Sequence, residues 1–345
     1  MIGYYIHHHG RGHLHRAVAI AAALGQPVTG LSSLPRPDEW AGDWVRLPLD
    51  LPGEGGDADA LRDVGANGRL HWVPLGVAGL RERMAAISAW IGAARPAVIV
   101  TDVSVEVSVL ARLHGVPVVS VALPGERGDD AHRLGFDVST AIIAAWPPEA
   151  GGMVTGLSLD AVARLHPVGA ISRFPRREAG AARTPRRVLV LAGAGGDGFG
   201  VAAIAAARAA APEWEWEHLG GSSGRWSDDP REALSAADVV ITHAGQNALA
   251  DVAAARRPAI VVPQTRPHDE QRTTARVLSA GHWPALLHDH LPEDEWPGLL
   301  ARAAALGGEG WRSWNDGLGA ERAAAVITDV AAGRMTRHAP PRDPR

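Results

Sequence analysis

The segment Val116 to Val121 is apolar and β-branched almost without interruption, and this feature constrains the fold more than any other. A strand of this kind is buried on both faces, which requires a parallel sheet covered by helices on each side. The rest of the first half supplies them. Met1 to His8 reads as a strand, followed by the turn Gly10-Arg11-Gly12 and an Ala-rich run of helical spacing from Leu14 to Leu24. Gly79 to Ala94 and Glu106 to Leu113 have helical spacing, while Ala97 to Thr101 and Ala141 to Ala145 read as further strands. Beyond an interval rich in Arg and Pro the alternation restarts, with strands at Arg187 to Leu191, Trp214 to Leu219, Val239 to Thr242 and Ala259 to Val262. Helices are predicted at Val201 to Ala211, Arg231 to Ala236, Ala248 to Ala255 and Gln271 to Ala280. Strand and helix in alternation predict an α/β chain of doubly wound parallel sheets.

With 345 residues, two domains of about 150 residues each are expected. The division falls at residues 173–185, where Pro175, Gly180 and Pro185 sit among several Arg with little apolar content, and this interval is read as an exposed linker. Residues 1–172 form the first half and 186–318 the second; 319–333 is a closing helix, and 334–345 an Arg- and Pro-rich tail expected to be disordered. Ligands of such sheets bind outside the carboxyl ends of the strands. Two halves facing each other therefore make a cleft, lined by the loops that follow the strands.

Composition removes several chemistries. All 34 basic residues are Arg, against 38 Asp and Glu, and the chain has neither Lys nor Cys. That excludes Schiff bases, pyridoxal phosphate attachment, Lys-dependent phosphate loops, thiol nucleophiles and thiolate metal sites. Acid/base, hydroxyl, Arg and backbone-amide chemistry remain. A net charge of −4 argues against a nucleic-acid partner, which calls for a basic face. No segment approaches the roughly 20 apolar residues of a membrane span, and the N-terminus lacks the pattern of a secretory leader, so a cytoplasmic location is expected.

Three loops carry candidate chemistry. Gly193-Ala194-Gly195-Gly196-Asp197-Gly198 matches G-x-G-x-x-G after a strand, a turn whose amides approach phosphate at a helix N-terminus. Glu217, 19 residues past Gly198, fits the ribose-binding acid of a dinucleotide site. The second loop, Thr242 through Asp251, places His243 at a strand end as a donor. Gly245 allows a tight turn there, and the amides of Gln246, Asn247 and Ala248 open a helix. Asp251 lies one helical turn further, where a carboxylate accepts from vicinal hydroxyls. The third loop, Pro263 to Gln271, sets Glu270 beside Gln271, a mixed acceptor and donor array suited to sugar hydroxyls; the simpler reading is a helix start with acids in its first turn.

The run from His243 to Gln271 resembles the donor-binding region of inverting GT-B glycosyltransferases, the superfamily of the MurG-type and UDP-dependent transferases, including the family 28 C-terminal domain. Those proteins carry His-x-Gly-x-Asn with a Glu eight residues after the His; here the positions are His243, Gly245, Asn247 and Asp251, the acid one methylene shorter. The resemblance implies two Rossmann-like domains facing a cleft. It places the diphosphate on His243, Ala244, Gly245, Gln246, Asn247 and Ala248, ribose on Asp251, and the sugar on Glu270 and Gln271. Gly12, Gly193, Gly195 and Gly196 join the donor site, and Trp226 and Ser227 fall where relatives present backbone to the base. Gly10-Arg11-Gly12-His13-Leu14-His15-Arg16 is similar to the G-x-G-H-x-x-R turn that opens the acceptor half. His13 is then the general base, and Asp102, 89 residues on, its support. Capping of the helix that begins near Glu106 is the alternative role for Asp102.

The implied activity is metal-independent, inverting transfer of a sugar from a nucleotide diphosphate, a UDP-sugar such as UDP-GlcNAc first, to an acceptor hydroxyl. The nucleotide-sugar is a co-substrate, and no cofactor is expected. The acceptor is a lipid carrier, a glycan or a small molecule, and the first of these would bring peripheral contact with the inner face of a membrane. Arg11, Arg16 and Arg266 are the cations to consider near the diphosphate. His7, His8 and His9, with His13 and His15 nearby, raise a metal site; consecutive strand residues point to opposite faces, so they are expected not to converge. No metal is assigned, and His8 or His9 is read as lining the cleft. Within Pro124 to Arg133, Glu126, Arg127 and His132 either face the cleft or belong to a solvated loop. Two other functions stay open: an NAD- or FAD-dependent oxidoreductase using Gly193, Gly195, Gly198 and Glu217, and a GT-B epimerase or silent sugar-binding protein that keeps the donor loops without needing His13.

Overall fold

The computed structural model describes residues 1–51, 63–175, 186–193, 198–221 and 224–335. The first half runs β1 (Ile2–Ile6), α1 (Arg11–Ala23), β2 (Val28–Ser32), β3 (Trp44–Arg46), α2 (Ala78–Ala94), β4 (Val98–Asp102) and α3 (Val105–Leu113). It continues through β5 (Val118–Ala122), β6 (Gly125–Glu126), α4 (Asp130–Val138), β7 (Ala141–Ala144), β8 (Val154–Thr155), α5 (Leu159–Val162) and β9 (Leu165–Pro167). The second half comprises β10 (Arg186–Leu191), α6 (Val201–Ala210), β11 (Trp214–Leu219), α7 (Arg231–Ala236), β12 (Val239–Thr242) and α8 (Gln246–Ala254). After these come β13 (Ala259–Val261), α9 (Glu270–Ala280), β14 (Ala285–Leu287), α10 (Trp296–Ala305) and α11 (Gly319–Ala331).

Two large all-parallel sheets result, beside a two-stranded parallel ladder of β6 and β8. Seven strands lie in the order β3-β2-β1-β4-β5-β7-β9 and five in the order β11-β10-β12-β13-β14. Strands β1, β4, β5 and β7 are buried at every position, as strands covered by helices on both faces must be. In each sheet the order reverses beside a central strand, β1 or β10, which opens a crevice at the carboxyl ends.

Several boundaries differ from the sequence expectation for identifiable reasons. Strand β1 ends at Ile6 rather than His8, because the chain turns at Gly10 (φ +79°) and α1 begins at Arg11. Strand β5 starts after Pro117, which has no N–H for the ladder. Strand β2 was not anticipated: its central Gly30 breaks the apolar pattern, and the missing Cβ is where the Trp44 ring packs, 2.3 Å from an ideal Cβ. The interval Pro124 to Arg133, expected as a loop, holds β6 and the start of α4, with Arg127 and His132 buried instead of solvated. Arg186 and Arg187 belong to β10. Most of the expected linker and tail lies outside the described residues.

One apolar cluster joins the halves, bringing Phe136, Ile142 and Trp146 together with Val240, Leu249 and Trp314. The closing helix α11 crosses back to the first half. Its Ala323, Val326, Ile327 and Val330 pack with Ile2, Ala17 and Ile20, and Arg322 donates to the Val168 carbonyl at 2.9 Å.

Candidate functional site

The first half of the site follows from strand register. Ile6 pairs with Asp102 across β1 and β4, so the carboxylate at the end of β4 sits beside the turn that leaves β1. His13, in the first turn of α1, meets it: Nδ1 lies 2.8 Å from Asp102 Oδ1. Asp102 does not cap α3; Ser104 does, accepting from the Val107 amide. Arg16, one turn beyond His13, donates to Asp102 through Nε (3.0 Å) and Nη2 (2.6 Å), and its Nη1 donates to Gln246 Oε1 at 2.9 Å. Both Asp102 and Arg16 are buried. Burial alone would raise the Asp102 carboxyl, but the Arg16 charge and the bonds from His13 and Arg16 hold it well below the usual carboxylate range. Asp102 is an ionised, fully engaged carboxylate, and Arg16 is spent on it. The expectation that Arg16 faces a diphosphate is therefore corrected.

Between the halves lies a cleft of ≈ 600 Å³. Gly12, Gly193, Trp226, Ser227, His243, Gly245, Gln246, Asn247, Ala248, Asp251, Glu270 and Gln271 all line it. Ala244 does not, being fully buried in the core cluster. Gly195 and Gly196 lie outside the described residues. Gly12 faces Asn247 across the halves: a Cβ there would stand 2.0 Å from Asn247 Nδ2, so the amide would have to shift.

His243 Nδ1 donates to the Val262 carbonyl at 2.9 Å, and its ring stacks on Phe199 with centroids 4.1 Å apart. Burial pushes its pKa down. The neutral ring therefore carries its proton on Nδ1, and Nε2 is a buried lone pair without a hydrogen-bond partner among the described residues. The expected donor is thus an acceptor until protonated. It precedes α8, whose N-terminus has no side-chain cap and so leaves amides and the positive dipole end for an anion.

Asp251 is held by Ser172 Oγ at 2.7 Å and Arg173 Nε at 3.1 Å, and burial raises its pKa. The Arg173 backbone amide adds a third contact, and the remaining lone-pair capacity of the carboxylate is left for a hydroxyl. Arg173 also donates to the Asp228 carbonyl at 2.9 Å. Sequence reasoning missed its role because its chain neighbours read as linker. Gln271 Oε1 accepts from the Gln264 amide at 2.8 Å, closing its own loop, and Arg266 donates to Gln264 Oε1 at 2.9 Å. Arg11 is ion-paired with Asp228, while the Trp226 indole donates to the same carboxylate at 3.0 Å. Glu217 is not in the cleft: it pairs with Arg225 at 3.2 Å and faces a separate hollow with Arg187 and Glu215. That removes the acid on which the dinucleotide reading depended.

The first half also holds a pocket of ≈ 340 Å³ lined by Tyr5, His7, His8, Asp50, Trp72 and Met84 among others, and the His7 ring centroid is 5.8 Å from that of His13. Both nitrogens of His8 and Oδ1 of Asp50 are buried there without partners among the described residues, 3.8 Å apart at the nearest. Arg83, at 3.2 Å, already balances the Asp50 charge, so a neutral hydroxyl suits the gap. His7, His8 and His9 lie beyond the end of β1, so strand alternation does not separate them. Contrary to expectation their rings converge, one nitrogen of each lying within 4.8 Å of the others.

Residues 222–285 match the model of the glycosyltransferase family 28 C-terminal domain. No curated protein matches the chain. Among solved structures, the glycotransferase of kitacinnamycin is 17% identical with a TM-score of 0.64, over 95% of this chain and 98% of that one. The spinosyn forosaminyltransferase SpnP is 15% identical with a TM-score of 0.67, over 96% and 99%. MurG of Acinetobacter baumannii is 15% identical with a TM-score of 0.60, over 95% and 99%. The paired parallel sheets and the cleft between them give this chain the GT-B fold of those structures, and residues 222–285 carry the likeness to the family 28 C-terminal domain.

Proposed function

We propose that the protein transfers a sugar from a nucleoside diphosphate to an acceptor hydroxyl with inversion and with no catalytic metal. The observation that carries the reading is the His13–Asp102 pair, whose neighbour Gly12 lines a cleft with an uncapped helix N-terminus and whose neighbour His7 lines a pocket with unsatisfied polar walls. Asp102 fixes the His13 tautomer with the proton on Nδ1, so Nε2 takes the acceptor proton as the acceptor oxygen attacks the anomeric carbon. The bond from that carbon to the diphosphate breaks, and the leaving charge settles on the α8 amides and, once its Nε2 has taken a proton, on His243. Asp251 meets the ribose through its remaining lone pairs, and Glu270 the sugar. The base is met by backbone near Trp226 and Ser227, with a UDP-sugar such as UDP-GlcNAc the first donor to test and TDP-sugars the second.

The test is a thermal-shift and turnover screen of UDP-, TDP- and GDP-sugars, followed by His13→Ala with the best donor. Retained turnover in His13→Ala would overturn the mechanism, and absence of nucleotide binding in every case would overturn the donor assignment. No helix among the described residues is long and apolar enough to cross a membrane. We place the reaction in the cytoplasm, and the compact acceptor pocket favours a small hydroxylated molecule over a lipid carrier.

A further inference from the structure

Three histidines to which the transfer chemistry assigns no step meet at the seam between the halves, one of them, His71, also lining the first-half pocket. His71 comes from the loop before α2, His132 from the first turn of α4 and His268 from the short turn before α9, so one is contributed by the second half. One nitrogen of each lies within 4.8 Å of the other two. Asp129 lies among them, at 2.5 Å from His132 Nδ1, 3.4 Å from His71 Nε2 and 3.9 Å from His268 Nδ1.

We propose that His71, His132, His268 and Asp129 bind a divalent first-row transition metal, Zn²⁺ foremost, as a clasp between the two halves beside the cleft. Three imidazoles and a carboxylate are a tetrahedral N₃O set, whose ligand atoms stand about 3.3 Å apart around zinc. The half-exposed side chains of His71 and His268 can close the remaining distance and leave the ion a path from solvent, while the 2.5 Å contact between His132 Nδ1 and Asp129 opens to admit the ion.

Ring orientation separates this cluster from His7, His8 and His9. Imidazole lone pairs lie in the ring plane. The rings of His71, His132 and His268 are inclined to one another by 59° to 87°, so their lone pairs can meet at a point. His7 is stacked nearly parallel to His8 and His9, at 12° and 27°, and His7 Nδ1 already accepts from the His9 amide.

A second observation is the backbone. His268 and Asp269 both take left-handed conformations, φ +58° and +56°, which non-glycine residues hold only when their surroundings over-determine them. Gly125 packs against this turn with no room for a side chain: a Cβ would stand 2.2 Å from the His268 carbonyl oxygen. The turn leads directly into Glu270, so the clasp would fix a wall of the donor cleft.

His132 Nε2 faces Arg127 Nη1 at 3.1 Å, so the metal takes Nδ1. On loading, the ring proton moves from Nδ1 to Nε2. The Arg127 contact there is given up, while Arg127 keeps its bond to the Pro124 carbonyl at 2.7 Å.

The experiment is titration of the EDTA-stripped full chain with Zn²⁺ by calorimetry and with Co²⁺ by visible absorption. One tight equivalent with the intense bands of four-coordinate Co²⁺ is expected. His268→Gln and His71→Gln, checked for native circular dichroism, should weaken it by more than the roughly 10–100-fold that loss of a merely supporting group costs, while His9→Ala leaves it unchanged. No uptake by the wild type, equal uptake by both Gln variants, or loss of uptake in His9→Ala would overturn the proposal. Metal binding is the readout, so the outcome is independent of the proposed transfer reaction.

Discussion

Replacing Asp102 by Asn tests the centre of the site through both stability and turnover. The carboxylate is fully buried and accepts from His13 and, twice, from Arg16, whose side chain is 1% exposed. Asn removes the charge and leaves the Arg16 guanidinium buried with Gln246 as its main remaining partner. Breaking a buried ion pair from one side costs about 3–5 kcal/mol, a large part of the roughly 5–15 kcal/mol that holds a domain folded. At about 2–4 °C per kcal/mol for a unit of this size, the melting temperature should fall by roughly 6–20 °C.

The sign of the pH dependence follows. The folded-state pKa of Asp102 is depressed, so its contribution is complete above the ordinary value near 3.9 and is lost as pH falls below it. Asp102→Asn should therefore flatten the acid side of the stability profile. Turnover should drop by about 10²–10⁴-fold, since the general base loses the group that sets its tautomer. Adding Arg16→Met to Asp102→Asn removes both charges and should recover much of the stability but none of the turnover. Calorimetry and initial rates decide the matter. A single variant melting within about 2 °C of wild type, or a double variant with restored turnover, would refute the reasoning.

Three further outcomes are expected. His243→Ala should weaken UDP or TDP binding by roughly 10-fold or more and lower the melting temperature as well, because it removes the Phe199 stack and leaves the Val262 carbonyl unpaired; unchanged affinity by calorimetry would remove His243 from the diphosphate site. Gly12→Ala should lower both nucleotide affinity and turnover, because its Cβ displaces Asn247, and a fully active variant would show that the halves do not need that approach. Burial pushes His7 down to about 3 and His15 down to about 4. The unfolded chain therefore takes up protons near pH 6.5 that the folded chain refuses, and stability should fall as pH is lowered from about 6.5 toward 4. A melting temperature flat across that range would contradict the burial of these rings.

Much of the fold was legible because its signals are local. Continuous apolar strands such as β4 and β5, alternating with helix-period segments, announce a parallel sheet wherever they occur. The His243 to Asp251 loop carries its glycine, amide and acid at fixed offsets on one turn. His13 and Asp102 were legible as a pair only through the resemblance, since 89 residues separate them and strand register, not spacing, joins them. Short or glycine-broken strands such as β2 and β3 were invisible: β3 has only three residues, and the space over Gly30 of β2 is filled by Trp44 of β3 and by Trp40.

By itself, the sequence determined which chemistry is available: with neither Lys nor Cys, the work falls to imidazoles, carboxylates, Arg and helix amides. Tertiary structure decided how each was spent. Arg16 became the counter-ion of Asp102 instead of a phosphate ligand, Glu217 turned out of the cleft, and Asp251 was tied to Ser172 and Arg173. Three histidines from distant segments were gathered around Asp129. Periodicity reports which face of an element is buried, whereas the partner of a buried charge is set by which elements the sheets bring side by side.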